Sequence, residues 1–502
     1  MSPLLPTLLG LPAAGCVVLA AVPLPDRVAR RLAVAISGAT LVVAAVIAAR
    51  FDYSAGARFN DVVDIKWLSS IDVRFHLGVD GISLPLVLLT ALLTLLCSAY
   101  TLGSVPDAGR VRQLLALTLL LEVGMLGTFV ALDLVLFFVF FEVVLIPMYF
   151  LIAVWGGEQR GAAATKFILY TLLGSGLMLV GFLIIYAGTG SFDMSVLTRA
   201  HGSGLSRSTQ LFAFVLLLIG FGIKSPMWPL HTWLPDAHTE APTVGSVLLA
   251  GVLLKMGTYG LVRIAVPDLP LAAHDVAPAL GVLAVVGIAY ATFVCVALAT
   301  DPQADLKRLI AFSSVGHMGF VLLGIATLTP IGIQGALIGN IAHGVITGLL
   351  FFLVGGVKDR FHTSTFAEIG SGLLAKTPVL GGFTVFAAIA SLGLPGLAGF
   401  WGEMLAMLGS YHPASSLSRP LFLVLMAIAG AGTVLTAIYF LAMLRRLAFG
   451  IVGERWREHA LRDVVAADLV AWTPLVVLAV CIGVWPRLVL GVSEAAVRGL
   501  LG

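Results

Sequence analysis

The sequence has few charged residues. Aspartate, glutamate, lysine and arginine make up 11% of the 502 residues, and the formal net charge is +3. Soluble domains carry about 25% charged residues, so this composition excludes a water-soluble enzyme. The small and scattered positive charge also argues against a nucleic-acid partner. With 59% hydrophobic residues in long continuous runs, the chain is expected to be an all-α polytopic protein of the lipid bilayer.

The sequence also lacks paired-cysteine motifs and nucleotide-binding motifs. Cys16, Cys97, Cys295 and Cys481 lie far apart inside apolar runs, with no CxxC spacing among them. This pattern gives no support to a disulfide or a cysteine-ligated metal. No GxGxxG fingerprint accompanies a βαβ unit. We therefore expect the chain itself to hold no metal, iron–sulfur cluster, flavin or nicotinamide.

Long apolar runs fill most of the chain instead. A membrane-spanning helix needs about 20 apolar residues, and fourteen runs of suitable length are predicted as spans. They are residues 3–23, 30–49, 81–103, 113–131, 134–154, 165–187, 210–227, 242–264, 278–299, 308–328, 331–355, 378–408, 420–444 and 468–490.

Basic residues predict the orientation of these spans. When successive loops are assigned to alternate sides, 17 lysines and arginines fall on one side and 10 on the other. Lys224 and Lys255 remain inside spans. Because cytoplasmic loops are rich in basic residues, the basic-rich side is predicted to be cytoplasmic. An even number of spans then places both termini outside.

Two polar connections complete the predicted organisation. Residues 51–80 are expected to form an external loop with a small hairpin between Val62 and Phe75, and residues 445–467 a cytoplasmic surface helix. The predicted divisions are a three-span segment over 1–110, a first five-helix repeat over 111–265, a second over 276–446, and a cytoplasmic connection with the last span over 447–502.

Five ionisable residues lie where lipid is expected. They are Glu122, Glu142, Lys224, Lys255 and Glu403. Each costs about 2.5–3.5 kcal/mol at the bilayer centre, so five without partners would cost on the order of 15 kcal/mol. They must face the bundle interior, where static ion pairs that fix helix packing are one interpretation. Together with His317 and His343 in other spans, the series favours a proton or cation path.

Two of these residues lie near breaks in their spans. Pro226 follows Lys224, and Pro395 precedes Glu403. A proline removes one helical hydrogen bond, and broken helices in a membrane are tolerated where they line a polar cavity. The breaks fall in spans seven and twelve. Span twelve comes five spans after span seven. Because five is odd, the two segments run in opposite directions, which predicts inverted repeats of spans 4–8 and 9–13.

Several segments resemble the antiporter-like subunits of respiratory complex I. Residues 224–243 (KSPMWPLHTWLPDAHTEAPT) are similar to the broken-helix signature of that family, and residues 305–319 (DLKRLIAFSSVGHMG) to its second signature. Asn340 to His343 (NIAH) and Gly399 to Glu403 (GFWGE) fit as well. The glutamate at position 403 resembles M-type members, since L- and N-type members usually carry lysine there.

The resemblance implies roles for the buried residues. Glu142 and Lys224 resemble the pair whose association controls the proton affinity of the lysine, and Lys255 the central relay. Glu403 resembles the group on the exit side, with His317 and His343 between. Glu122 matches a further intramembrane glutamate.

The resemblance also implies a setting. The chain would be a proton-translocating subunit of a bacterial plasma-membrane NADH:quinone oxidoreductase. Its partners would be L- and N-type neighbours, lipid, protons and internal water. FMN, iron–sulfur clusters, NADH and a quinone would act elsewhere in the complex. A multisubunit cation/proton antiporter and an energy-converting hydrogenase share these motifs and remain open, as does a purely structural scaffold.

Overall fold

Most of the described chain is helical. The structure is a computed structural model that describes residues 3–53, 58–104 and 109–501. Its N-terminal part contains four long helices and one hairpin. They are α1 (Leu4–Ala21), α2 (Asp26–Arg50), β1 (Asn60–Leu68), β2 (Val73–Val79), α3 (Ser83–Tyr100) and α4 (Val111–Val130).

The next part contains the first broken span. Its helices are α5 (Leu134–Val143), α6 (Leu145–Trp155), α7 (Arg160–Thr189), α8 (Met194–Ala200), α9 (Arg207–Lys224), α10 (Trp233–Glu240), α11 (Thr243–Leu248), α12 (Leu254–Gly260) and α13 (Val266–Asp268). Two π-helical turns, Leu249–Leu253 and Leu261–Ala265, join the last three into one span.

The remaining helices form the second half of the bundle. They are α14 (Pro270–Thr300), α15 (Leu306–Ala326), α16 (Pro330–Phe361), α17 (Phe366–Ile369), α18 (Leu373–Lys376), α19 (Pro378–Ala390), α20 (Ala398–Tyr411), α21 (Arg419–Leu447), α22 (Glu454–Arg457), α23 (Ala466–Val484) and α24 (Arg487–Leu501).

The predicted all-helical membrane architecture is confirmed. Within the described residues, 13 helices are long and apolar enough to cross a membrane. The predicted twelfth span is the one that fails this length criterion, because it consists of the two shorter helices α19 and α20. Both predicted breaks are present: α9 ends before Pro226, and Pro395 lies between α19 and α20.

Two isolated β-bridges repeat the same arrangement in the two halves. Asp133 caps α5 and bridges to Asp193 after α7, while Asp305 caps α15 and bridges to Thr365 after α16. Each residue of the second bridge lies 172 positions after its counterpart in the first. Matching backbone hydrogen bonds flank both bridges, from Leu134 N to Phe192 O and from Leu306 N to Ser364 O.

The predicted hairpin is also present. Strands β1 and β2 pair in antiparallel fashion, whereas residues 54–57 of the predicted external loop lie outside the described residues. A buried contact holds β2 to the bundle, because His76 Nδ1 lies 2.9 Å from Asp193 Oδ2. Burial of Asp193 opposes its ionisation, but hydrogen bonds from His76 and Ser195 outweigh this effect and lower its pKa to about 2.

The prediction of a surface helix over 445–467 is wrong. Helix α21 continues to Leu447, and the only later helical turn before the last span is Glu454–Arg457. The rest is held in non-helical form by hydrogen bonds to its neighbours. Asp463, for example, accepts from the free amides of Val379 and Leu380 at the start of α19. The backbone carbonyls of Ala448 and Phe449 likewise accept from the amides of Leu374 and Gly372 instead of from their own segment.

The amphipathic helix α24 was not predicted. Its buried side chains include Val489, Ser493, Val497 and Leu500, which lie three or four positions apart and therefore share one face. Ser493 Oγ donates to Gln334 Oε1 of α16, at 3.2 Å. The helix therefore packs along α16 rather than extending the last span.

Two basic residues that were assigned to loops are buried instead. Arg263 lies in the second π-helical turn and donates to Asp80 Oδ1 at 2.5 Å. Lys307 lies in the first turn of α15, and only 2% of its surface is exposed. Both residues were included among the loop charges that predict the orientation. In the structure, Arg263 binds Asp80 and Lys307 binds the carbonyl oxygen of Ala241 inside the protein.

We predict that Asp193→Asn will loosen the hairpin. The amide keeps the cap geometry but loses the charge, and a hydrogen bond to a charged group is worth about 1.5–3 kcal/mol. Hydrogen exchange of the β2 amides at pH 7 should therefore quicken by about tenfold or more. Because the pKa of Asp193 is depressed, this stabilisation should be complete above pH ~4 and disappear as the pH falls toward 2.

The matched control is Asp64→Asn, which removes a half-exposed partner of Arg74 from the same hairpin. Exposed ion pairs contribute about 0–1 kcal/mol, so exchange in β2 should change little. Equal exchange rates in the two variants would contradict a special role for the contact between His76 and Asp193.

Candidate functional site

Lys255 and His343 form the centre of the candidate site. Lys255 lies on α12 between the two π-helical turns and is fully buried. Its Nζ lies 2.6 Å from His343 Nδ1 on α16 and also donates to the carbonyl oxygen of Ala250. Because an ammonium has only donors, His343 accepts at Nδ1 when Lys255 is charged. π-helical turns are rare and often lie at functional sites.

His317 and Glu403 continue the line of polar groups. The rings of His343 and His317 are 5.9 Å apart between centroids. His317 Nδ1 lies 3.3 Å from Glu403 Oε1, and Glu403 Oε2 accepts a hydrogen bond from Thr433 Oγ1 at 3.0 Å. Four ionisable side chains from α12, α16, α15 and α20 therefore form one connected series.

A small cavity lies beside this series. Its volume is about 30 Å³, and its lining includes His317, His343, Ser391 and Glu403. A water molecule needs about 10–15 Å³ of such space and several polar partners, so the cavity can hold one or two. His343 Nε2 has no hydrogen-bond partner within the described chain, and a water here would supply one.

Glycines bring Glu403 close to the histidines. A Cβ at Gly402 would lie 2.6 Å from Gly339 Cα, and a Cβ at Gly409 would lie 2.8 Å from Gly332 Cα. The backbones of α16 and α20 therefore touch, as small residues allow in membranes. Within the break of span twelve, Gly393 has φ +71°, and a Cβ there would lie 3.0 Å from Glu403 Oε2.

Glu142 and Lys224 are neighbours but form no hydrogen bond. Neither Lys224 Nζ nor Glu142 Oε1 has a partner within the described chain, although each charge acts on the other. The ammonium of Lys224 lies over the ring of Phe141, 4.8 Å from its centroid. Gly257 allows Lys224 to approach α12, since a Cβ there would lie 3.1 Å from Lys224 Cβ.

Glu122 stands apart from the connected series. It is fully buried on α4, and neither carboxyl oxygen has a hydrogen-bond partner among the described residues. Cys97 on α3 is close enough to feel its charge. An isolated ionised carboxylate is costly in such a place, so Glu122 needs a partner from outside the described residues whenever it is charged.

The structure thus joins four of the seven predicted site residues through contacts. Of the other three, Glu142 has Ser175 as a side-chain partner, whereas Lys224 Nζ and both carboxyl oxygens of Glu122 have no hydrogen-bond partner in the described part of the chain. Sequence reasoning missed Thr433, the hydroxyl partner of Glu403, because intramembrane threonines usually bond to their own helix. It also missed the link from Thr258 to Asn340 Oδ1 beside Lys255. Within the described residues, no group of three or more His, Cys, Asp or Glu side chains is placed to hold a metal ion.

Comparisons with known proteins identify the family. A family profile described as NADH:quinone oxidoreductase/Mrp antiporter, TM, matches residues 131–444. The chain belongs to this family. The matched region contains both broken spans and six of the seven predicted site residues, all except Glu122.

Full-length relatives and solved structures agree with this assignment. The chain is 38% identical over 476 residues to NADH-quinone oxidoreductase subunit M of Rickettsia prowazekii, covering 95% of this chain and 93% of the relative. A chain of respiratory complex I from Thermus thermophilus with bound NADH is 29% identical, with a TM-score of 0.85 and coverage of 99% and 100%.

The antiporter branch of the family shares the fold. A chain of the Mrp complex from Dietzia sp. is 22% identical, with a TM-score of 0.82 and full coverage of both chains. At this identity the likeness concerns the architecture alone.

We predict that Gly402→Ala will disturb the site. The new methyl group would meet the backbone of Gly339, and overpacking of this kind costs about 1–3 kcal/mol. The free energy of unfolding should fall by that amount, and proton transport should fall with it as Glu403 moves away from His317. Thermal unfolding of the purified assembly and transport in vesicles provide the two measurements.

Gly382→Ala is the matched control. It lies on α19, and no atom lies within 4 Å of an added Cβ. Alanine favours a helix over glycine by up to about 1 kcal/mol, so this variant should be as stable as the parent protein or more so. If Gly402→Ala behaved like Gly382→Ala, close contact of α16 and α20 would not be what positions Glu403.

Proposed function

We propose that this chain is a proton-translocating membrane-arm subunit of a bacterial NADH:quinone oxidoreductase. The connected series from Lys255 through His343 and His317 to Glu403 is the observation that carries the proposal. Every member can bind and release a proton, whereas arginine, which stays charged, is absent from the series. The subunit M relative supports the choice of complex.

The proposed mechanism starts at Glu142 and Lys224. An opposite charge near a lysine raises its proton affinity, and removal of that charge lowers it. A charge change in a neighbouring subunit would act on Glu142 and thereby on Lys224, whose proton would move toward Lys255. No hydrogen bond joins Lys224 Nζ to Glu142 within the described residues, so closure of this gap into a direct ion pair would bind the proton of the lysine more tightly.

The proton would then follow the connected series. Lys255 gives a proton to His343 Nδ1, and His343 releases the proton of Nε2 through cavity water toward His317. His317 Nδ1 passes a proton to Glu403, which releases it on the outer side. Moving one charge against ~150 mV costs about 3.5 kcal/mol, equivalent to a change of about 400-fold in proton affinity.

The two halves of the bundle carry the two ends of the proposed path. We propose five-helix repeats over 111–265 and 276–446, supported by the equivalent β-bridges at Asp133 and Asp305 and by the two broken spans. The outward position of both termini follows from the loop charges. The partners would be L- and N-type subunits, and FMN, iron–sulfur clusters, NADH and quinone would be bound by the rest of the complex.

A multisubunit cation/proton antiporter is the second candidate. The fold shared with the Mrp chain favours it, and the same buried groups could serve exchange of a cation. The higher identity to the subunit M relative over 95% of this chain argues for the first candidate. Copurification with redox subunits, rather than with antiporter subunits alone, distinguishes the two.

We predict that Glu142→Gln will stall coupled turnover while the complex still assembles. The amide keeps the shape of the side chain but has no negative charge, so it cannot raise the proton affinity of Lys224. Lys224→Ala should fail in the same way, whereas Glu142→Asp keeps the charge and should retain much of the activity. Quinone reduction and proton pumping are measured in each variant at equal content of assembled complex.

A static packing pair predicts a different pattern. Removing one partner of a buried pair would cost about 3–5 kcal/mol of stability, and the double variant Glu142→Gln/Lys224→Ala should recover assembly and pumping together. Such recovery, or full activity in Glu142→Gln, would contradict the proposed role of these two residues.

A further inference from the structure

The connected series needs a route by which protons reach Lys255. Lys255 is fully buried, and Glu403 lies on the side proposed for release. Protons must therefore reach Lys255 from the opposite face, which the loop charges predict to be cytoplasmic. A route has to pass groups that can take up and release protons.

A large cavity opens on that face. Its volume is about 1150 Å³, and its lining includes Glu240, Lys307, Lys358, Asp359 and Arg360. Polar and charged walls and this volume are suited to many water molecules. The cavity therefore gives water access to the buried side chain of Lys307 in its lining.

Lys307 is the buried charge among these lining residues. Only 2% of its surface is exposed, and its Nζ donates to Ala241 O at 2.5 Å. That is its one hydrogen bond within the described chain, although an ammonium has three donors. Two donors are left for water. The charged groups that act on Lys307 are Lys358, Asp305, Glu240 and Asp359.

His238 is a buried imidazole near Lys307. It precedes Ala241 by three residues, is fully buried, and stacks on Phe351 with 4.4 Å between centroids. Neither ring nitrogen has a hydrogen-bond partner in the described part of the chain. Phe351 lies about two turns of α16 beyond His343, the partner of Lys255, and the charges of both Lys307 and Lys255 act on this imidazole. His238 is therefore near both lysines.

We propose that Lys307 takes up protons from the cavity and passes them through His238 to Lys255, an inference that rests on the proposed function. No hydrogen bond joins Lys307 to His238 in the described residues, so the Lys307 ammonium gives one proton to a ring nitrogen of His238 through an intervening water and becomes a neutral amine. The amine then takes up a proton that the cavity water relays from the cytoplasmic side, and His238 gives its proton through water to neutral Lys255. Over the whole cycle one proton enters from the cytoplasmic side and one reaches Lys255, so no other reactant is needed.

Lys307→Arg distinguishes this role from a structural one. Arginine keeps the positive charge and can still donate to Ala241 O, but it does not release its proton. If Lys307 only fixes the backbone, Lys307→Arg should pump like the parent complex. The proposal predicts assembly with a loss of pumping equal to that of Glu403→Gln, and the same loss in Lys307→Gln.

Lys358 supplies the matched control, because it lines the same cavity but is exposed. Lys358→Arg, which keeps the charge that acts on Lys307, should pump normally at neutral pH. Chemical rescue gives a second readout: Lys307→Ala should regain pumping in ethylamine, which can shuttle a proton, but not in tetramethylammonium, which cannot. Rescue by both cations would show that only the charge matters and would overturn the proposal.

Glu403→Gln keeps this test separate from the proposed function. Normal pumping in both Glu403→Gln and Lys307→Arg would contradict proton transfer through this subunit altogether. Normal pumping in Lys307→Arg alone would overturn only the uptake route. If Lys307→Gln failed to assemble, Lys307→Arg and the ethylamine experiment would still decide.

Discussion

The contact between Lys255 and His343 connects the two halves of the bundle. Lys255 lies on the last span of the first proposed repeat and His343 on the third span of the second. A charged ammonium at mid-membrane is costly unless it has partners, and Lys255 finds them in His343 and in the carbonyl of Ala250. The same cost forces the other ionisable groups toward the bundle interior, where they can exchange protons.

Irregular backbone is what makes room for these groups. The π-helical turns around Lys255, the break after Lys224 and the break before Glu403 all occur in helices that carry an ionisable side chain. The glycine contacts of Gly402 and Gly339 add the close approach that places Glu403 beside His317. Local departures from ideal helices therefore position the ionisable side chains, while the long apolar helices surround the site.

The sequence was sufficient to predict the spans and the buried charges. Hydropathy reports the length of an apolar run, and charged residues in such runs stand out against it. Contacts between spans are different, because neither the link from Lys255 to His343 nor that from Glu403 to Thr433 has a signature in either segment alone. The equivalent β-bridges at Asp133 and Asp305 were equally hidden, since hydrogen bonds between backbones leave the side chains free to differ.

The wrong predictions for Lys307, Arg263 and residues 445–467 share one cause, which is a hydrogen-bond partner in a distant part of the chain. Lys307 and Arg263 were counted as solvated loop charges because they lie near the ends of apolar runs, and residues 445–467 were expected to be helical because they are charged. In each case a partner elsewhere in the chain decided the outcome: Ala241 O for Lys307, Asp80 for Arg263, and the amides of α19 for Asp463.

The central claim is that His343 and Glu403 act one after the other in a single proton path. Pumping in reconstituted vesicles, at equal content of assembled complex, should be measured for His343→Gln, Glu403→Gln and the double variant. Groups in series block the same path, so we predict that the double variant pumps no less than either single variant. Losses that add, or multiply, in the double variant would contradict the claim.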